Sequence, residues 1–295
     1  MSQNQHQTRE TTTSSRRTEI NRAQRNRRRL FSRAESVLVG KDIQAIWGAP
    51  AIRTLLLSVP ILGAVLLPAV AYIAINLLPE APLPSQPIQA LLSETSQNSK
   101  QIWMETVTKL LCPLFYLCIP IVCGVVSASC SFVGEKEGHT LESLFLSALP
   151  ARSIYNAKVT ACTLLSLLIS WVSFGVFAIT VSILDLLLGA PFFLSLEWLM
   201  IVVLITPALV FFSVVFVALL LTRAQGVQEA LETSGYLLVP LTILYLLQFS
   251  GLYYIGPLAL LVLFILLAIA SVVIFNISGA RFNAESLFTK EFLDR

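Results

Sequence analysis

Glu105 and Lys109 stand four residues apart inside a segment that is otherwise almost wholly apolar. On a helix that spacing puts both side chains on one face, where they pair. Ionisable groups inside an apolar helix are the default functional suspects of a membrane protein. Two readings fit this pair: the outer lining or gate of a pathway, and an ordinary ion pair at a membrane interface. The second suffices, because neither residue falls at the middle of its segment. The other concentration of polar chemistry is the stretch 134–158, GEKEGHTLESLFLSALPARSIYNAK. Glu135, Lys136, Glu137 and Gly138 make it charged and flexible at its start. Leu141, Leu144, Phe145 and Ala148 then recur at helical spacing, with Glu142 and Ser143 off that stripe. Thr140 suits a helix cap, Glu142 suits the first turn, and Pro150 ends the helix. A short amphipathic helix of this kind offers a surface to a soluble partner or rests on lipid headgroups.

Motifs of hydrolytic and nucleotide chemistry are missing. The chain has no GxxxxGK[ST] phosphate loop, no HExxH helix and no GxSxG elbow. The five cysteines (Cys112, Cys118, Cys123, Cys130, Cys162) form no CxxC pair, and the histidines are His6 and His139 alone. Structural zinc needs paired thiolates at short spacing and disulfide frameworks belong to small secreted domains, so the cysteines read as buried free thiols. The expectation is a protein that is not an enzyme and binds no metal or cofactor of its own.

The elements that position these residues follow from composition. Of 295 residues, 56% are hydrophobic and 13% charged, with a formal charge of +3 and a mean hydropathy of +0.77. A soluble core cannot hide that much apolar surface, so the chain reads as a polytopic, all-α membrane protein. A transmembrane helix needs about 20 apolar residues, and six segments qualify: 54–78, 103–133, 158–184, 198–222, 234–250 and 257–278. The second is long enough to tilt or extend beyond the bilayer. The fifth is the shortest, and Ser250, Gly251 and Gly256-Pro257 break the chain after it, as a tight hairpin or a re-entrant link. Pro60, Pro68, Pro113, Pro120, Pro207 and Pro240 lie within the segments and predict kinks. The small-residue run 124–131 predicts close helix packing, within one chain or between subunits.

Four regions result. Residues 1–29 form a basic, disordered cytoplasmic tail with Arg16, Arg17, Arg22, Arg25, Arg27, Arg28 and Arg29. Residues 30–50 hold an amphipathic interfacial helix, in which Leu30, Phe31, Ala34, Val37, Leu38, Ala45 and Ile46 recur and Arg33, Glu35, Lys41 and Asp42 intervene. Residues 51–279 hold the six spans, and 280–295 form a second cytoplasmic tail. Basic residues set the orientation. The arginine cluster, Lys41, Lys136, Arg152, Arg223, Arg281, Lys290 and Arg295 fall on one side, whereas Lys100 is the only basic residue in the loops of the other. Both termini are therefore expected in the cytoplasm. The tail attracts anionic lipid or merely fixes topology; no folded nucleic-acid reader accompanies it.

The run E-K-E-G-H-T-L-E-S-L-F-L-S-A-L-P at 135–150, with Lys158 beyond it, resembles the motif of type 2 family ABC exporter permeases, E-K-E-x-G-T-L-E-x-L-L-x-x-P followed by G-K. The run A-R-F-N-A-E-S-L-F at 280–288 is similar to the tail after the sixth span of those proteins. Three positions depart from the pattern: Gly138 stands one place early, His139 precedes Thr140, and Ala157 replaces the glycine before the lysine. The resemblance implies a transport subunit in the cell membrane without a fused ATPase. A second permease subunit, identical or similar, would complete the pathway, and separate ABC ATPase subunits on the cytoplasmic face would hold ATP and Mg. The helix at 140–149 would be the coupling helix, with Glu135, Glu137, Thr140, Leu141, Glu142, Leu144 and Phe145 carrying force rather than chemistry. The alternatives are a secondary carrier or channel, which needs an intramembrane ion site that the sequence does not display, and a non-transporting membrane anchor or assembly protein. Phe192, Phe193, Trp198, Tyr253 and Tyr254 read as an interfacial aromatic belt, and the apolar spans favour a lipid, hydrophobic peptide or amphiphile as cargo.

Overall fold

A computed structural model describes residues 36–77, 98–134, 151–220, 227–249 and 256–281. Every regular element among them is helical. The first, α1, covers 36–48. It buries Leu38, Asp42 and Ile46, one residue per turn, and turns Val37 and Ala45 away. The stripe is thus narrower than the apolar residues alone suggest, and an acid stands in its centre. Extended Ala49 and Pro50 at the first helical position separate α1 from α2, because a residue before proline avoids the helical region.

Five helices among the described residues are long and apolar enough to cross a membrane. They are α2 (Pro50–Ile61, Leu62–Leu66, Leu67–Leu77), α3 (Ser99–Thr106, Val107–Leu111, Cys112–Ala128, Ser129–Val133), α4 (Ala151–Leu188), α5 (Leu196–Met200, Ile201–Ile205, Thr206–Leu220) and α8 (Pro257–Arg281). Between α5 and α8 lie α6 (Val227–Ser234), a 3-10 turn (Gly235–Leu237) and α7 (Leu238–Phe249). The expected fifth span is therefore interrupted at its start. Its apolar helix has 12 residues, about 18 Å at 1.5 Å per residue, short of a full crossing. Helix α4 has 38 residues, about 57 Å by the same rise, and so extends well past a hydrocarbon core of about 30 Å.

Four of the segments within α2, α3 and α5 are π turns: Leu62–Leu66, Val107–Leu111, Ser129–Val133 and Ile201–Ile205. Three stop two residues before a proline, namely Pro68, Pro113 and Pro207. Proline lacks an N–H and its ring crowds the carbonyl four residues back. A widened turn relieves that crowding. At Pro207 the Val202 carbonyl, left without the proline N–H, accepts a hydrogen bond from Trp171 Nε1 of the long Ala151–Leu188 helix at 3.3 Å, while the Ile201 carbonyl takes both the backbone N–H of Thr206 and its Oγ1, the latter at 2.9 Å.

Helix α3 is the centre of the bundle: 72% of its most apolar stretch is buried, against 11% for α8. It packs on α2, α4 and α5, while α8 lies against α5. The small-residue run serves this packing inside the chain. A Cβ on Gly124 would meet the Ser213 side chain and the Val210 carbonyl oxygen of α5. Ser127 lies 2.7 Å from Ser166 of α4, hydroxyl to hydroxyl, and Ser166 donates to the Cys123 carbonyl at 2.9 Å. All five cysteines are free; Cys112, Cys123 and Cys162 are buried, Cys118 and Cys130 half-buried. Large apolar side chains such as Leu168, Leu186, Leu258 and Val272 cover the outside, as a lipid-facing surface requires.

Candidate functional site

Two clusters of buried polar groups occupy opposite ends of the bundle. The near end is where α3 stops at Gly134 and α4 starts at Ala151; the far end is where α4 stops at Leu188. The expected coupling residues Glu135, Glu137, Thr140, Leu141, Glu142, Leu144 and Phe145 lie outside the described residues, between the two strands of helix that frame the near end.

At the near end Lys158 has no exposed surface. It follows Ile154 and precedes Cys162 on the buried face of α4, one residue per turn. Its Nζ donates to the Ser131 carbonyl at 3.1 Å and to Ser131 Oγ at 3.3 Å, inside the last π turn of α3. It also pairs with Asp42 Oδ2 of α1 at 3.5 Å and lies 5.9 Å from the Phe132 ring centroid. One ammonium group thus ties together α1, the end of α3 and the start of α4. Burying it demands several good partners, since desolvation of an ion is expensive. In the sequence Lys158 reads as the first residue of the third span and the lysine of the resemblance, and Asp42 as one of the charged residues that interrupt the apolar stripe of 30–50. The missed signal is periodic: Asp42 stands four residues from both Leu38 and Ile46.

At the far end Glu105 and Lys109 form the expected pair, Oε1 to Nζ at 2.8 Å. The carboxylate is the buried partner, with 5% of the side chain exposed against 27% for the lysine. A second acid, Asp185, is also buried, in the last turn of α4. It stands four and eight residues beyond Val181 and Phe177, which share its buried face. The turn that ends α4 fixes its position. Gly189, at φ 65, takes the left-handed conformation; its N–H donates to the Leu186 carbonyl and that of Ala190 to the Asp185 carbonyl, a Schellman closure. Gln101 of α3 then donates from Nε2 to the Leu188 and Gly189 carbonyls, at 3.2 and 3.0 Å. The α3 face carrying Gln101, Glu105, Thr108 and Cys112 is held against the end of α4 in this way, and Asp185 is electrostatically coupled to Glu105 and Cys112. Sequence reading places Asp185 in a loop and misses it.

Below these acids Trp198 of α5 is enclosed by rings: Phe177 at 5.1 Å, Tyr116 at 5.9 Å, and Phe174 and Phe193 at 6.0 Å between centroids. Trp198 and Phe193 are therefore core residues, not members of an interfacial belt; Phe192 is exposed, and Tyr253 and Tyr254 lie outside the described residues. Two apolar grooves flank α2: one of about 410 Å³ against α4, floored by Pro60, Ala64 and Ile169, and one of about 520 Å³ against α3, floored by Gly63, Leu67 and Ile119. Among the described residues, no group of three or more His, Cys, Asp or Glu side chains could hold a metal ion.

Comparison with known protein families, with characterised proteins and with solved structures finds no match for this chain.

Proposed function

We propose that this chain is the membrane-spanning subunit of an ATP-driven exporter, forming the translocation pathway and working with a separate ATPase. The observation that carries the reading is the sequence of the acidic segment 135–150, with apolar residues at helical spacing, which joins in the chain the two longest described helices, α3 and α4. In this reading the near end faces the cytoplasm, both termini lie there, and α7 with the residues after it completes the fifth of six crossings. The coupling helix at 140–149 docks on the ATPase, where ATP and Mg are held. A second permease subunit completes the pathway.

Support comes from the frame around that segment. Lys158 fastens the end of α3 and the start of α4 to each other and to α1, so a push on the segment between them would move the three together. The apolar grooves beside α2 suit a lipid or amphiphile better than a bare ion or a polysaccharide. A carrier driven by an ion gradient is the second reading, favoured by one observation: Glu105 and Asp185 are buried acids of the kind such a carrier uses.

A mild-detergent pull-down of the tagged chain, followed by an ATPase assay, tests the proposal. Wild type is expected to bring down a nucleotide-hydrolysing partner, and Glu142→Arg and Leu144→Asp to lose or uncouple it. A wild-type chain that captures no such partner would defeat the exporter reading.

A further inference from the structure

The far-end acids present a charge problem that the described side chains do not solve. Asp185 is 5% exposed, and its Oδ2 has no hydrogen-bond partner among the described residues. It sits in the last turn of α4, where the carbonyl end of the helix is already negative and disfavours an anion. The charged neighbour that acts on it is another acid, Glu105. The cations at this end are engaged elsewhere: Lys109 pairs with Glu105 at 2.8 Å, and Lys100 donates to Asn76 of α2 at 3.2 Å. Glu197 of α5 adds a further acid to this end of the bundle. Glu105, Lys109 and Asp185 together therefore carry one uncompensated negative charge in a buried setting, a state that proteins do not leave unneutralised.

A second observation points into the same place. Thr108 is 3% exposed, and its Oγ1 has no partner among the described residues. Hydroxyls elsewhere in these helices mostly bond back to a carbonyl of the preceding turn, as Thr54, Thr106, Thr163, Ser170, Thr180 and Thr242 do. Thr108 does not, and it lies one turn from both Glu105 and Cys112, on the α3 face that opposes Asp185. A buried oxygen withheld from its own helix, on the face that carries Glu105 and Cys112, is available as a ligand atom. The π turn Val107–Leu111 contains it, and such turns re-aim side chains at functional positions.

We propose that Glu105, Thr108 and Asp185 form a binding site for one small monovalent positive charge, either a proton or an alkali cation. Its occupant neutralises the Asp185 carboxylate and closes the junction of α3 with the end of α4. The site does not depend on the exporter reading, because no residue of the segment 135–150 takes part in it.

The test uses the full-length chain in lipid nanodiscs, with any ATPase that accompanies it. In one arm, infrared difference spectra in H2O and D2O look for the carbonyl stretch of a buried protonated carboxyl group. In the other, thermal unfolding is followed as sodium chloride replaces choline chloride at constant ionic strength. Wild type is expected to show one signature: a carbonyl band, which identifies the proton, or a sodium-dependent rise in Tm, which identifies the alkali cation. Asp185→Asn is isosteric and should abolish whichever signature appears. Thr108→Val removes one oxygen and is expected to shift the band, or to raise the midpoint sodium concentration about tenfold; it keeps the test informative should Asp185→Asn fail to fold. A wild-type chain that shows neither signature, or a signature that survives in both variants, overturns the proposal. Neither readout involves nucleotide hydrolysis, so failure here and failure of the exporter reading are separate results.

Discussion

Single residues decide this structure where a polar group is buried. Lys158 is the clearest case, because its neighbours supply a carbonyl, a hydroxyl and a carboxylate. Lys158→Met would leave Asp42 as a buried anion without its ammonium partner. Breaking a buried pair by removing one member costs about 3–5 kcal/mol, so a marked fall in Tm in detergent is expected. Asp42→Asn combined with Lys158→Met should recover much of that loss, since both charges then disappear; a double mutant no more stable than Lys158→Met would contradict the pairing. Gly124 is a case of space rather than charge. A Cβ added there would lie 3.2 Å from the Val210 carbonyl oxygen, which leaves no room for a branched side chain. Gly124→Leu should push α3 from α5 and destabilise by about 1–3 kcal/mol or more, visible as a lowered Tm and a broadened size-exclusion peak.

At the scale of elements, prolines and π turns act together. Each of Pro68, Pro113 and Pro207 follows a widened turn that absorbs its missing N–H. At Pro207 the indole of Trp171 takes up the Val202 carbonyl, and the Thr206 hydroxyl adds a bond to the Ile201 carbonyl inside the turn. Thr206→Val should therefore cost about 1 kcal/mol, and Pro207→Ala should let Ile201–Ile205 close into a regular helix. Hydrogen exchange checks both: protection across 201–207 is expected to fall in the first variant and rise in the second. Equal exchange in all three proteins would mean that the proline does not set the turn. The kinks were legible in the sequence as prolines; the π geometry was not, because it depends on which neighbouring helix takes up the freed carbonyl, as Trp171 does for Val202. The amphipathic first helix was legible too, although its buried stripe runs through Asp42, which hydropathy alone assigns to water.

Taken whole, the molecule has a buried axis, α3 with α5, and a rim of α2, α4 and α8 that turns leucine, isoleucine and valine outward. A rim so apolar needs lipid or another such rim around it. The proposed orientation has a direct check. Cysteines introduced at Ser85 and Ser286 are expected to react with an impermeant maleimide from opposite sides of the membrane, Ser286 from the cytoplasm. Labelling of both from one side would reverse the topology argument. The native thiols interfere little, because all five are buried or half-buried.

The sequence by itself determined the class of architecture. Runs of about 20 apolar residues have no stable home but lipid, and the backbone there must bond to itself, which makes it helical. It also determined the Glu105–Lys109 pair, since i,i+4 contacts are local. Contacts between distant segments were decided only in the tertiary structure. Asp42, Ser131 and Lys158 come from three elements, as do Tyr116, Phe177 and Trp198. Glu105 and Asp185 are 80 positions apart in the chain and come within electrostatic reach of each other only because α4 ends at the Schellman turn that Gln101 grips. Hydropathy is a property of each segment alone. Which face of one helix meets which face of another depends on how all of them pack, and there the buried charges find, or lack, their partners.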